Sequence, residues 1–229
     1  MIEALVFDLD GTIVDTEGTE YESVRRVWEE HGRAFPPERW VHVIGNAWAP
    51  TWVEELAHEL GHPLDAAAVR ARQRAHNAEL RRDLRPRPGV IELIDAADAA
   101  RIPSAIASNS DRRWVDHRLA DLGLSGRFAS IASIDDVAQG KPDPEPFVAA
   151  CVAVGATPRH AVAFEDSATG VRAAVAAGCY TVACPVPLTI GHDLSPAHRR
   201  VASLTEVTLA ELADAVATRA GGGEAAQPS

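Results

Sequence analysis

Short, mainly apolar runs alternate along this chain with longer segments in which apolar residues recur at helical spacing. Runs of four to seven apolar residues without polar alternation are typical of strands buried on both faces of a parallel sheet. The intervening segments, most of them closed by a glycine, predict helices. The predicted strands are Ala4–Phe7, 102–108, 128–134, 161–165 and 180–184, and the predicted helices between them are 90–100, 111–122, 144–154 and 168–177.

Residues 15–84 show helical periodicity and no convincing strand, so they predict an all-helical insert after the first strand. The Arg-Pro-Arg-Pro-Gly sequence at 85–89 predicts a hinge where the sheet resumes. A last strand over 201–204 and a last helix over 208–219 are followed by a Gly- and Ala-rich tail. The sequence therefore predicts an α/β fold, with a Rossmann-like, doubly wound parallel sheet as its core. The predicted divisions are a Rossmann-like core of residues 1–14 and 85–220, an all-helical domain of residues 15–84, and a disordered tail of residues 221–229.

Composition and net charge limit the kinds of molecule that the protein is expected to bind and the compartment in which it is expected to work. The 229 residues carry a net charge of −11 without a basic stripe, which disfavours nucleic acid and anionic membrane surfaces as partners. No apolar stretch approaches the length of a membrane span, and no targeting segment is expected before the first strand. The three cysteines form no C-x-x-C pair, which favours reduced thiols and a cytoplasmic location. A monomer is favoured over an oligomer.

Two aspartates follow the first predicted strand. Asp8 and Asp10 lie two residues apart, so their side chains are expected on one side, at the edge where parallel sheets bind ligands. Gly11 allows the sharp turn that comes next. Paired carboxylates at this edge favour a hard metal ion and chemistry around it. The alternative is a strand followed by an ordinary β-turn, because Asp and Gly also favour turns.

Three further polar segments follow other predicted strands. The hydroxyl of Ser108, beside Asn109 and the first turn of a helix, is suited to a phosphate oxygen, although a plain helix cap is the alternative. Lys141, between Gly and Pro on a stiff loop, places a positive charge beside an anion unless it is a solvated loop lysine. Glu165 and Asp166 would complete an oxygen-rich Mg²⁺ site, although Asp166 and the next serine also make a good helix cap.

Together and in this order, the four segments resemble the haloacid dehalogenase-like superfamily. The resemblance is to its phosphatase and β-phosphoglucomutase branch, whose members carry a helical cap after the first strand. It implies that Asp8 is the nucleophile and Asp10 the general acid and base. It also implies that the phosphoryl group is bound by Ser108, Asn109 and Lys141. Mg²⁺ would be held by Asp8, by the backbone carbonyl of Asp10 and by Asp166, and Glu165 would support this metal site.

The cap departs from the mutase pattern. Members of the mutase group carry a His where this chain has Glu20, and an Arg in the cap loop where this chain has Trp48. Loss of these cations disfavours a bisphosphorylated intermediate. Trp48 and Trp52 would either cover an apolar or ring-shaped part of the substrate or pack in the cap core. The predicted cap contacts with substrate are Glu17, Gly45, Asn46 and Trp48.

The sequence thus predicts an enzyme, a Mg²⁺-dependent phosphatase that hydrolyses a small phosphorylated metabolite through an aspartyl-phosphate. One alternative is a β-phosphoglucomutase-like phosphomutase. Another is a non-catalytic binding protein on the same fold, although the filled catalytic positions weigh against it. Dehalogenase chemistry is disfavoured because dehalogenases of the superfamily lack the second aspartate, here Asp10. Phosphonate chemistry is disfavoured because residues 15–84 contain no lysine.

Overall fold

The computed structural model describes residues 1–43 and 51–222. Its strands form one sheet in the order β3-β2-β1-β4-β5-β6, and every neighbouring pair is parallel. The predicted α/β fold with a parallel, doubly wound sheet is therefore confirmed. The strands are β1 Ala4–Phe7, β2 Ser104–Ala107, β3 Ser130–Ala132, β4 Ala161–Glu165, β5 Tyr180–Ala183 and β6 Arg199–Arg200.

The helices also follow the sequence pattern closely. The α-helix Ala66–Leu80 in the insert continues as a short 3₁₀ turn, Arg81–Asp83. The α-helices are α1 Thr16–Glu30, α2 Pro37–Val43, α3 Trp52–Leu60, α4 Ala66–Leu80, α5 Val90–Ala99, α6 Arg112–Asp121, α7 Glu145–Ala153, α8 Ala168–Ala177 and α9 Leu209–Gly222.

The order of the strands determines where a site can form. Strands β2 and β3 lie on one side of β1, and strands β4 to β6 lie on the other side. The order in which strands are added to the sheet therefore reverses between β1 and β4. Phe7 in β1 lies opposite Ile106 in β2 and Phe164 in β4, and all three are fully buried. The residues that follow these strands therefore meet at one edge of the sheet. Ligands bind at such a switch point in open α/β sheets.

The described chain divides into two compact units. One comprises Met1–Val14, Arg85–Val186 and the described residues from Ile190 onward, and it contains the whole sheet. The other comprises Asp15–Leu84, with the α-helices α1 to α4 described there, and a short later segment, Pro187–Thr189. We propose that these units act as catalytic core and cap.

The helical unit has its own apolar core. Its helices α1 and α4 pack together, and the indole of Trp28 on α1 is fully buried beside Phe35. Trp52 is only 8% exposed and belongs to the same core, which favours the packing alternative for this residue. The other buried members of this core are Val24, Val27, Trp40, Val53, Leu56, Val69 and Leu188.

The end of the chain differs from the prediction. The last strand is Arg199–Arg200 and not 201–204, because pairing with β5 is made by backbone groups on either side of these arginines: His198 N–H donates to Thr181 and Val201 N–H to Ala183. The apolar residues that suggested a later strand are buried outside it: Val201 is 5% exposed, and Leu204, 1% exposed, begins a 3₁₀ turn, Leu204–Glu206. Helix α9 extends to Gly222, two residues into the segment predicted as a disordered tail, and residues 223–229 lie outside the described residues.

Within the described ranges, none of the helices combines the length and apolar character needed to cross a membrane. Cys151, Cys179 and Cys184 are all buried free thiols.

Candidate active site

Asp8 follows β1, and its backbone N–H donates to Phe164 of the adjacent strand at 3.0 Å. Its carboxylate oxygen Oδ1 accepts from the ammonium of Lys141 at 2.5 Å. The other oxygen, Oδ2, is buried and has no hydrogen-bond donor among the described residues. Burial raises the pKa of Asp8 to about 7 and the charge of Glu165 adds to this, while the charge of Lys141 opposes it. Asp8 is thus a desolvated carboxyl group with one oxygen available.

Lys141 is the only lysine in the chain, and its side chain is 4% exposed. The ammonium contacts Asp8 at 2.5 Å and Glu165 at 2.7 Å, and it lies 4.8 Å from the ring centre of Phe147. Burial by itself lowers the pKa of Lys141, but the charges of Asp8 and Glu165 outweigh it and raise that pKa above its ordinary value. Lys141 is therefore a permanent buried cation and not a solvated loop lysine.

Glu165 ends β4 and has both carboxylate oxygens occupied. Oε1 accepts from Lys141, while Oε2 accepts from the backbone of Asp166 and from the backbone and hydroxyl of Ser167, at 3.0 to 3.1 Å. The first turn of α8 lies directly against it, because a Cβ on Gly170 would fall 1.7 Å from Oε1. Only glycine fits at position 170, so the sequence of α8 is adapted to this carboxylate.

Asp166 follows Glu165 and is 3% exposed. Its carboxylate approaches the turn after β1 so closely that a Cβ on Gly11 would lie 2.4 Å from Oδ2. Gly11 also has φ +92°, a conformation that residues with a side chain rarely adopt. Gly11 is thus required both for the turn and for the approach of Asp166.

The carboxylates of Asp8, Glu165 and Asp166 can each offer an oxygen, and these oxygens lie within 4.8 Å of one another. All three residues are buried, and the ammonium of Lys141 contacts two of them, Asp8 and Glu165. Three carboxylates and one ammonium leave an excess of negative charge in a desolvated site. The partnerless oxygen of Asp8 and this excess charge both fit a hard divalent cation with oxygen ligands.

Ser108 and Asn109 follow β2. Ser108 is 1% exposed, and its hydroxyl oxygen accepts from the backbone N–H of Ser110 at 3.0 Å. The amide of Asn109 is bound twice to the backbone of Lys141: its oxygen accepts from the Lys141 N–H at 2.7 Å, and its nitrogen donates to the Lys141 carbonyl at 3.1 Å. The close approach requires Gly140, where a Cβ would lie 2.7 Å from the amide oxygen.

Asp10 is held from α6 and from the segment before it. Ser110 Oγ donates to its Oδ2 at 2.7 Å, and the indole N–H of Trp114 lies 3.1 Å from both carboxylate oxygens. The sequence pattern predicted neither of these contacts with Asp10. The available signal was position, because Trp114 lies in the first turn of a helix that starts at the same sheet edge.

Arg87 lies in the predicted hinge and hydrogen-bonds to two segments, the turn after β1 and the residues after β5. Its guanidinium donates to the carbonyls of Gly11, Cys184 and Pro185, the last two at 2.7 and 3.1 Å. Its backbone N–H donates to Ile13 at 2.8 Å. Arg87 therefore ties the turn after β1 to the segment after β5.

Of the residues predicted to contact substrate in the cap, Glu17 lies among the described residues. Glu17 accepts from the indole N–H of Trp40 at 3.0 Å. Glu20, at the position of the mutase histidine, accepts from the amides of Gln73 at 2.9 Å and of Asn77, within the helical unit. The other predicted cap contacts, Gly45, Asn46 and Trp48, lie outside the described residues.

Comparison with known proteins agrees with this arrangement. Residues 2–178 match the family model of haloacid dehalogenase-like hydrolases, which covers well over half of the chain. The chain belongs to the haloacid dehalogenase-like hydrolase family. The predicted family resemblance is thereby confirmed, and the protein is an enzyme.

Its relatives define the class of that enzyme. The chain is 36% identical over 214 residues to Bacillus subtilis YhcW, described provisionally as a phosphatase, with 93% of this chain and 97% of the relative covered. It is 32% identical to the fructose-1-phosphate phosphatase YqaB of Escherichia coli, with 76% and 92% covered. Such relatives place the chain among phosphoric monoester hydrolases.

A solved structure shares both fold and length. A Thermotoga maritima protein described provisionally as a β-phosphoglucomutase superposes with a TM-score of 0.75 at 27% identity, covering 95% of this chain and 99% of that one. The family and the fold of this hydrolase are therefore established at the level of the whole chain.

Proposed function

We propose that this hydrolase is a Mg²⁺-dependent phosphatase that cleaves a small phosphorylated metabolite through an aspartyl-phosphate on Asp8. The observation that carries the proposal is the state of the Asp8 carboxylate. One oxygen is bound by a permanent buried cation, Lys141, and the other has no donor among the described residues. A buried carboxylate nucleophile beside a fixed cation is the arrangement that covalent phosphoryl transfer requires.

The proposed reaction has two steps. In the first, an oxygen of Asp8 attacks phosphorus, the bond from phosphorus to the leaving oxygen breaks, and Asp10 gives that oxygen a proton. In the second, Asp10 takes a proton from water, the water oxygen attacks phosphorus, and the bond to Asp8 breaks. Lys141 and the hydroxyl of Ser108 would bind the phosphoryl oxygens throughout. Phosphate and an alcohol leave, and the enzyme is restored.

Mg²⁺ would be held by Asp8, Asp166 and the backbone carbonyl of Asp10, and when bound it would neutralise charge on the phosphoryl oxygens. The role of Glu165 follows from its contacts. Because both of its oxygens already accept from Lys141 and from the start of α8, we propose that Glu165 orients these groups and supports the metal site from outside.

Mg²⁺ is expected to stabilise the protein, because an ion that binds only the folded state shifts the unfolding equilibrium. At about 100 times its dissociation constant, the ion should add about 2.7 kcal/mol, or about 5–10 °C in Tm for a chain of this size. Thermal unfolding in Mg²⁺ and in EDTA measures the shift. Asp166→Asn should abolish most of it, whereas Asp95→Asn, an exposed carboxylate paired with Arg127, should retain it. An equal shift in Asp166→Asn would contradict the proposed ligand set.

Asn109 is proposed to act through Lys141, because both ends of its amide bind the Lys141 backbone. Asn109→Ala is expected to lower kcat/KM about tenfold, the effect of one or two lost hydrogen bonds at a site that needs precise geometry. In a Lys141→Met background the same change should cost less than about twofold, because coupled residues are not additive.

NMR gives a second test of the contact between Asn109 and the Lys141 backbone. Since Lys141 is the only lysine, ¹⁵N-lysine labelling gives a single backbone amide resonance, and Asn109→Ala should shift it. Asn109→Asp keeps the acceptor for that N–H and serves as the matched control, with a smaller shift. The same tenfold loss of kcat/KM from Asn109→Ala in the Lys141→Met background would instead indicate that Asn109 contacts the substrate directly.

The substrate proposal rests on the relatives. One is named for fructose 1-phosphate, and phosphatases of phosphorylated carbohydrates and of phosphoglycolate are also among them. We propose a small phosphorylated metabolite, with sugar phosphates first in the test. A phosphomutase is the second candidate, favoured by the Thermotoga maritima structure. Glu20 at the histidine position weighs against it, since the cation that would bind a second phosphate is missing there.

The test is phosphate release from a panel of sugar phosphates, phosphoglycolate and nucleoside monophosphates, in Mg²⁺ and in EDTA. The phosphatase proposal expects Mg²⁺-dependent release from at least one compound. Conversion of glucose 1-phosphate to glucose 6-phosphate with a bisphosphate primer, without net phosphate release, would favour the mutase. Absence of both reactions would favour a binding protein on this fold. We also propose a cytoplasmic location, on the basis of the three free buried thiols. The monomer stays a prediction from the sequence.

A further inference from the structure

Trp114 places its indole N–H between the two oxygens of a candidate catalytic carboxylate. The nitrogen is 3.1 Å from Oδ1 and 3.1 Å from Oδ2 of Asp10. A donor at equal distance from both oxygens lies on the axis of the carboxylate, so it restrains the direction in which the group points. The hydroxyl of Ser110 donates to Oδ2 at 2.7 Å and adds a second restraint. Neither donor belongs to the cluster around Asp8.

The indole itself is fixed by α6. Asp111 caps this helix and accepts from the backbone N–H of Trp114 at 2.7 Å. One turn later the guanidinium of Arg118 lies 5.0 Å from the centre of the indole ring. Arg118 is 5% exposed, and it is anchored by Asp121 at 2.8 Å. The position of the indole N–H is therefore set by the start of the helix and by the buried guanidinium beside the ring.

We propose that Trp114 is a positioning residue that holds Asp10 in the orientation needed for proton transfer. The inference rests on the proposed function, in which Asp10 first protonates the leaving oxygen and then takes a proton from water. Both transfers need a carboxylate oxygen within hydrogen-bond reach of a substrate or water oxygen. Holding such a group in its reactive position raises the rate strongly, because displacing it by about 1 Å can lower the rate about 100-fold. All the residues involved belong to the unit that contains the sheet.

The kinetic test uses Trp114→Phe in the full chain. Phe keeps an aromatic ring on this residue and removes the N–H donor together with the pyrrole ring that carries it. We expect kcat to fall about tenfold and KM to change less than about twofold, because the donor acts on the reacting group and not on substrate binding. Trp28→Phe is the matched control, since its buried indole N–H has no acceptor among the residues that the structure describes. This control should keep kcat within about twofold.

A double-mutant comparison shows whether the effect passes through Asp10. In an Asp10→Ala background, Trp114→Phe should change the residual rate less than about twofold, because the carboxylate that the indole holds is gone. An equal loss in both backgrounds would overturn the inference, and so would full kcat in Trp114→Phe alone. A rise in kcat would also overturn it, since the indole would then restrain Asp10 away from the reaction.

An NMR readout tests the contact without any assay of activity. With ¹⁵N-tryptophan labelling, Trp114→Phe and Trp28→Phe each identify one indole N–H resonance. Asp10→Ala should move the Trp114 resonance and leave the Trp28 resonance in place. If the Trp114 resonance moves but the protein releases no phosphate, the contact is supported and the proposed function fails. An unmoved Trp114 resonance overturns the inference whatever the activity.

Discussion

Asp8→Asn is expected to lower kcat/KM for phosphate release by about 10⁴-fold or more, the size of effect seen when a covalent nucleophile is removed. The amide keeps the shape of the side chain, but its oxygen is neutral and a poor nucleophile. The measurement is single-turnover and steady-state phosphate release in Mg²⁺, with the wild-type protein and Asp8→Asn purified in parallel. Asp95→Asn removes an exposed carboxylate far along the chain and should keep full activity.

The same substitution is expected to change how stability depends on pH. In the metal-free protein burial raises the pKa of Asp8 from 3.8 to about 7, so the folded state binds this proton more tightly than the unfolded state. The stability that this group contributes is fully present below pH 3.8 and is lost as pH rises to about 7. Urea unfolding in EDTA should therefore show Asp8→Asn gaining stability over wild type as pH rises through this range. A constant difference would contradict the raised pKa, and near-normal phosphate release would contradict the role of Asp8 as nucleophile.

Lys141→Met is expected to affect both activity and stability. Met fills a similar volume but leaves Asp8 and Glu165 without their shared cation. Removing one partner from a buried ionic group costs about 3–5 kcal/mol, and loss of a fixed cation at a transferring phosphoryl group costs about 10³-fold in rate. Urea unfolding at neutral pH in EDTA and single-turnover phosphate release measure the two effects.

A matched control shows whether the stability lost in Lys141→Met comes from leaving buried carboxylates unpaired or only from removing a positive charge. Arg112→Met removes an exposed cation paired with Asp116 and should cost less than about 0.5 kcal/mol. Adding Glu165→Gln to Lys141→Met should recover part of the stability, because one of the uncompensated carboxylates is then removed. A loss in Lys141→Met no larger than in Arg112→Met would show that the ammonium is not buried among these carboxylates.

The sequence predicted the edge of the sheet where the site residues meet, because apolar runs reveal buried strands and parallel strands end at the same edge. Asp8, Ser108 and Glu165 were each placed at a strand end by this reasoning, and the structure brings them to the carboxyl ends of β1, β2 and β4. Their family roles depended on the resemblance, since each residue alone also fits a turn or a helix cap.

Side-chain direction could not be predicted in the same way. Phosphate binding by Asn109 stays a prediction, but the contact of its amide with both backbone groups of Lys141, more than thirty residues later, was not predicted. Trp114 reaches Asp10 across more than one hundred residues. Such contacts depend on the rotamer and on the distance between elements, and neither leaves a periodic signal. The two-residue strand β6 was misplaced for a related reason, because Arg199 and Arg200 pair through backbone groups while the pattern records side chains.

The most direct test of the proposed mechanism is detection of the phosphoryl group on the enzyme. Wild-type protein is mixed with its best substrate in Mg²⁺, quenched in acid within one turnover, reduced with borohydride and digested with trypsin. Fragmentation of the peptide covering residues 1–25 then locates the modified aspartate, since Asp8, Asp10 and Asp15 all lie in it. The account predicts modification at Asp8, and none in Asp8→Asn. Modification at another residue, or turnover with no modified peptide in repeated quenches, would contradict it.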